Sequence, residues 1–144
     1  MTKKEVSAVL ARASRAEVEA AAEKIKENHE ISIVKQPQKT LVMVKVRESV
    51  KQSLFYLGEV LASECMVTVD GEKGSSVMAG DDFDKVMAAA VIDGLLNIKS
   101  EEVQEEQETV KKQIEELKRA QERERAKLNK ALLKSKVNFN VMGE

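Results

Sequence analysis

The chain is predicted to be an α+β domain. Its antiparallel sheet has about four strands, with helices packed on one face and a long C-terminal helical arm ending in an extended tail. Three observations predict this. Apolar residues recur at helical spacing over 3–28 and 83–98, they alternate with period two over much of 31–79, and 100–134 holds neither Gly nor Pro. Residues 1–98 are expected to form the core, and 99–144 the arm and tail of the same domain.

The helices come first. Thr2-Lys3-Lys4-Glu5 and Ser14-Arg15-Ala16-Glu17 both have the capping-box pattern, in which a hydroxyl accepts from the third amide and the Glu reaches back. Behind them, Val6, Val9, Leu10 and Ala13 form one apolar stripe, and Val18, Ala21, Ala22 and Ile25 the next. Helices are predicted over 3–12 and 15–28.

Then the period shortens to two. Ile31 to Lys35 reads as a strand stopped by Pro37, and Leu41 to Arg47 as a second with Val42, Val44 and Val46 on one face. Leu54 to Val69 is too long for one straight strand, so Gly58 is expected to mark a bulge. Past it, Leu61, Cys65, Val67 and Val69 share a core-facing phase. Asp70-Gly71 is a hairpin signal, returning through Ser75 to Ala79. Short connections make the sheet an antiparallel meander.

Gly80-Asp81-Asp82 opens a helix carrying Phe83, Met87, Ala90, Val91, Gly94, Leu95 and Ile98, with Gly94 allowing a close backbone approach. From Ser100 to Lys134, nine acidic residues balance nine basic ones, with acids crowding the start as the helix dipole prefers. The seam through Val103, Gln107, Val110, Ile114, Leu117, Gln121, Glu124, Leu128 and Ala131 makes a poor coiled coil, since three of its nine positions are polar. Whether this helix is continuous or broken stays open, with Arg119–Ala126 its weakest stretch, and an extended tail is expected over 137–144.

Composition narrows the function. The 144 residues are 42% hydrophobic and 34% charged, with 24 Lys+Arg against 25 Asp+Glu. That balance argues against holding nucleic acid or an anionic membrane by bulk charge. Three Phe, one Tyr and no Trp give no stacking platform for bases. No apolar run approaches the ~20 residues of a membrane helix, and the first residues lack the apolar core of a signal peptide. One Cys fits a reducing cytoplasm.

Reactive groups are scarce: one His, one Cys and one Tyr. No zinc-ligand spacing is present, and a catalytic triad would have to use His29 at a helix end. Cys65 reads as a buried small hydrophobe, because no basic neighbour is evident to lower its pKa. Gly71-Glu72-Lys73-Gly74-Ser75 lacks phosphate-loop spacing. At Gly80, Asp81, Asp82 and Asp84 cap the helix and would repel a phosphate. Glu59 is either a solvated edge position or a contact for a basic group on a partner. The alternation of Val137, Phe139 and Val141, with Met142, would expose apolar groups unless covered, making the tail the leading interface candidate. Alone, the chain is expected to self-associate as a symmetric dimer.

Several segments resemble a known family in collinear order. Phe55-Tyr56-Leu57-Gly58-Glu59-Val60-Leu61 with Glu64-Cys65 and Val67, then Gly80-Asp81-Asp82, then Ala89 to Leu95 including Asp93, and finally Lys136 to Phe139 with Met142-Gly143-Glu144, are similar to the PhnG family. These are the G subunits of the bacterial carbon–phosphorus lyase system for phosphonate breakdown. Asp81, Asn138 and Asn140 depart from the family pattern. The resemblance implies a non-catalytic subunit that works with the H, I and L subunits. Together they transfer an alkylphosphonate to the ribose C1 of MgATP, releasing adenine and forming α-D-ribose 1-methylphosphonate 5-triphosphate. It also implies a core assembly with H, I and the radical J subunit. No cofactor bound by this chain and no catalytic residue are implied, and MgATP is a substrate of the complex. Other readings of the residues are a generic helical adaptor and a stand-alone nucleotide-binding protein.

Overall fold

The computed structural model describes the backbone of residues 1–142 and the side chains of residues 1–135. Two helices lead the chain, α1 (Lys3–Arg12) and α2 (Arg15–Asn28). Three strands follow, β1 (Ile31–Arg47), β2 (Leu54–Val69) and β3 (Glu72–Ala79). Helix α3 (Phe83–Asn97), one 3₁₀ turn (Glu101–Val103) and helix α4 (Gln104–Met142) complete it.

The caps determine where the helices begin. Thr2 Oγ1 accepts from the Glu5 amide at 3.2 Å, and Ser14 with Glu17 forms a complete capping box. Asp82 caps α3 by accepting from Lys85 N, and the same carboxylate receives the Arg15 guanidinium at 3.0 Å. The α1–α2 corner is thereby tied to the start of α3.

The sheet is a meander of order β1-β2-β3, antiparallel throughout. Asp70 (φ 49°) and Gly71 (φ 86°) form the two-residue turn between β2 and β3, both with the positive φ this hairpin geometry requires. The count is three strands because the two runs expected on either side of Pro37 are one. β1 passes through Pro37 with register shifts between Ile33 and Gln38. As an edge strand with local bulges, it tolerates a residue that lacks an N–H. On β2, Val44 pairs with Gly58 but Lys45 with Tyr56, leaving Leu57 extra, so the bulge stands beside the glycine that predicted it.

Helix α3 covers one sheet face, and α2 and α1 extend the layer. The core joins Val18 and Ile25 to Cys65, Val67 and Val69 and to Val86, Val91, Ile92 and Leu95. Val110 and Ile114 of α4 close it. The tightest contact is between Gly74 and Gly94. A Cβ on Gly74 would stand 2.6 Å from Gly94 Cα and nearer still to the Ala90 carbonyl oxygen. Only paired glycines let strand and helix approach so closely.

Two expectations are corrected, and one open question is closed. Leu61 has core phase but is 47% exposed, because β2 runs beyond the edge of α3 at that point. Helix α4 does not break in Arg119–Ala126. Nor does the backbone become extended after Lys136, being helical to Met142. No Gly or Pro interrupts it before Gly143, so nothing stops the hydrogen-bond ladder. The polar seam positions serve tertiary contacts. Gln107 Nε2 donates to the Leu95 and Ile98 carbonyls at 2.8 and 2.7 Å, and Gln121 Nε2 to the Val9 carbonyl at 3.0 Å. Those carbonyls lie at the C-terminal ends of α3 and α1, where those of Leu95 and Val9 also accept from the capping amides of Ile98 and Ala13, so the glutamines add a second donor. Beyond Gln121 the described residues of α4 are exposed, so the helix projects.

Candidate partner-docking surface

Strand β2 outruns β3. The β2–β3 pairing spans Ala62–Val69, with a last hydrogen bond from Gly80 N to the Leu61 carbonyl, while β2 begins at Leu54 and pairs only with β1 over Leu54–Val60. These residues, with Leu41–Arg47 and the turn at 48–53, form a two-stranded arm extending past the helical layer. Its backbone is closed at the tip by Glu48 N donating to the Ser53 carbonyl at 2.9 Å.

Register determines what the arm displays. Val42 lies opposite Val60 and Val46 opposite Phe55, so these four and Val44 share one face. Leu41 opposite Leu61, with Met43, Tyr56 and Leu54, lies on the other. Phe55 is 49% exposed and Leu57 63%, and their neighbours on both faces are comparably open. Strands apolar on both faces normally belong inside a protein. A surface this continuous is a candidate for binding.

The family-motif residues divide between this arm and the fold's joints. Phe55, Gly58 and Glu59 are on the arm. Glu59 has Tyr56 beside it, and partial desolvation together with that carboxylate raises the Tyr56 pKa. Glu64 bridges across to β1, reaching Lys35 Nζ at 2.5 Å and accepting from Gln38 Nε2 at 2.8 Å, so its carboxyl is held below the ordinary carboxylate range. Gly80 (φ 98°) turns β3 into α3 and accepts from Ser63 Oγ at 2.7 Å. Asp93 accepts from the Ser75 amide at 3.0 Å and ties α3 to β3. The candidate tail side chains, Val137, Phe139, Val141 and Met142, lie outside the described residues.

Of the single His, Cys and Tyr, the tyrosine sits on the arm and the other two do not. Cys65 is 2% exposed, and burial pushes its thiol up, away from the reactive thiolate. His29, whose partners were not evident from the sequence, bridges three segments. Its Nδ1 meets Asp70 Oδ2 at 2.5 Å and its Nε2 meets Glu106 Oε2 at 2.6 Å, with the imidazole side chain 8% exposed. Burial works against the imidazolium, but the two carboxylates outweigh it and the pKa is raised above its ordinary 6.5. The Asp70 carboxyl is correspondingly lowered from 3.8, by His29 first and then by the Glu30 amide. With both nitrogens engaged, the ring acts as a clasp between α2, the β2–β3 turn and the base of α4.

The clasp makes stability depend on pH with a definite sign. A raised His29 pKa adds stability that is complete below 6.5 and is lost as pH climbs through the raised value. A lowered Asp70 pKa adds stability present above 3.8 and lost as pH falls through its depressed value. His29→Ala is therefore expected to cost about 1.5–3 kcal/mol, the range for hydrogen bonds to charged groups, between about pH 4 and 6.5. The gap to wild type should narrow in alkali. Thermal melts of both proteins from pH 4 to 9 check this, and a difference flat across that range would refute the charged clasp.

Among the described residues, no cluster of three His, Cys, Asp or Glu could hold a metal ion, and no helix is long and apolar enough to cross a membrane. A groove of about 640 Å³ between α1 and α4 is lined by Glu5, Arg12, Lys118 and Gln121 among others and contains neither His29 nor Cys65. No curated protein matches this chain. The family model for the phosphonate metabolism protein PhnG matches residues 1–143. That match covers essentially the whole chain, and it includes the arm whose Phe55-to-Leu61 run first suggested the likeness: the protein belongs to the PhnG family, a subunit of the carbon–phosphorus lyase system of phosphonate metabolism.

Proposed function

We propose that this chain is a supporting, non-catalytic subunit of the carbon–phosphorus lyase core complex. It is needed with the H, I and L subunits for transfer of an alkylphosphonate to the ribose C1 of MgATP with release of adenine, and it docks on the I subunit through the β1–β2 arm. The arm carries the reading, because it presents two apolar faces on the segment with the strongest family likeness. The states of His29 and Cys65 support it. His29 is engaged at both nitrogens and Cys65 is sealed in the core, so neither is available to turn over a substrate. MgATP is a substrate of the assembly, and this chain holds no cofactor of its own. The J subunit joins the same cytoplasmic core. Apart from its partners, the chain forms a twofold dimer.

Co-expression with the matching I subunit tests the assignment. The two chains should co-purify at fixed stoichiometry, and the isolated chain should release no adenine from MgATP. Failure to co-purify would remove the assigned partner, and adenine release by the chain alone would make it an enzyme in its own right.

A further inference from the structure

Helix α4, with the 3₁₀ turn that leads into it, is divided by charge. Residues 101–116 carry seven acidic and two basic side chains, whereas residues 122–135 carry five basic and two acidic ones. The acidic half packs on the body through Val110 and Ile114. The basic half projects, with Leu128 60% and Leu132 58% exposed. These leucines, four residues apart, share one stripe, with Lys127 and Lys134 together on one flank.

The body has a matching groove. Between α2 and the acidic half of α4 runs a depression of about 360 Å³, floored by Ala20, Ala21, Ile25 and Val110. It continues past Gln113 to Leu117. Its rim is acidic, with Glu102, Glu105 and Glu106 at one end and Glu17 and Glu116 at the other, and Lys24 as the basic exception. The wall from Glu102 to Leu117 is about 23 Å long at 1.5 Å per residue, and the projecting stretch 122–135 is about 20 Å.

We propose that this groove receives the projecting basic half of α4 from a second copy of the chain, and that the second copy's groove receives the first. The two α4 helices then run antiparallel about a twofold axis, each basic half against the partner's acidic half. Length, apolar content and charge all match, and one operation satisfies both copies, as an isologous dimer requires. Leu128 and Leu132 fill the small-residue floor, while lysines and arginines meet the glutamate rim. The inference rests on self-association of the isolated chain, not on its place in the lyase complex.

A charge exchange tests it. Light scattering of the full-length chain should show a dimer that weakens with salt, since the rim contacts are exposed ion pairs. Leu128→Asp with Leu132→Asp removes four leucines from the interface per dimer and should raise the dissociation constant at least about a hundredfold, while far-ultraviolet dichroism stays that of wild type. A chain carrying Arg125→Glu, Lys127→Glu and Lys134→Glu should be monomeric, as should one carrying Glu102→Lys, Glu105→Lys and Glu116→Lys. Mixing the two should restore a heterodimer, because each exchanged arm then meets a groove of opposite sign. A dimer that survives the leucine changes but is lost on altering Phe55 and Val60 would overturn this interface and leave self-association standing. A monomeric wild-type chain would overturn both, and so would failure of the mixed variants to associate.

Discussion

Gly74→Ala is expected to be the most damaging single substitution in the body of the protein, costing about 3 kcal/mol or more and lowering the melting temperature by roughly 10 °C. The added methyl has nowhere to go. It would meet the Ala90 carbonyl oxygen and the Gly94 N and Cα, all of them main-chain atoms of α3 that no rotamer change can move. Relief requires α3 to lift from β3, opening the packing that holds Val69, Ile92 and Leu95. Gly94→Ala meets mainly the Val69 side chain, its Cβ falling 2.6 Å from Cγ2, so part of its strain can relax. Gly58→Ala serves as the control. Nothing lies within 4 Å of a Cβ there, and stability should change by less than about 0.5 kcal/mol. Thermal melts of the three variants check this order, and a Gly74→Ala protein as stable as the Gly58→Ala one would refute it.

The second large effect is on assembly. Phe55→Asp with Val60→Asp should abolish co-purification with the I subunit, by a hundredfold or more in affinity at about 2 kcal/mol for each lost anchor. Both side chains are on the uncovered face of the arm, opposite Val46 and Val42, and touch none of the core beneath α3. Far-ultraviolet dichroism and the melting temperature should therefore stay close to wild type, apart from the cost of Asp in a strand, up to ~1 kcal/mol. Quantitative pull-down with the I subunit, beside melts of the same preparations, distinguishes lost docking from lost folding. Undiminished binding by the double variant would show that the arm is not the contact.

Local chemistry made much of the fold readable. Thr2, Ser14 and Asp82 announce three helix starts through hydrogen bonds that span only three residues. Asp70-Gly71 specifies its turn because it supplies both residues the positive φ demands. Gly94 showed that something must come close, but not that Gly74 would be its neighbour, since that pairing depends on how α3 lies across β3. The misreading at Pro37 came from a rule about strands flanked on both sides, whereas β1 lies at an edge. Burial of Leu61 failed for a similar reason. Alternation gives the phase of a strand but not where its covering helix ends.

The candidate site was legible as a motif, not as a surface. The run Phe55 to Leu61 stood out by likeness, yet its exposure depends on β3 stopping short, which no spacing within β2 reveals. His29 illustrates the limit most plainly. Its partners are 41 and 77 residues away in sequence, so only the folded chain places them on either side of the ring.

The proline inside β1 also affects the interval between synthesis and assembly. A newly made subunit holding an uncovered, sticky hairpin risks stacking rim to rim into fibrils. Pro37 offers no amide to an incoming chain, and the irregular stretch around it prevents a straight template from forming along that margin. The subunit can therefore wait in solution with its greasy finger extended, because one border of its sheet is built to refuse company.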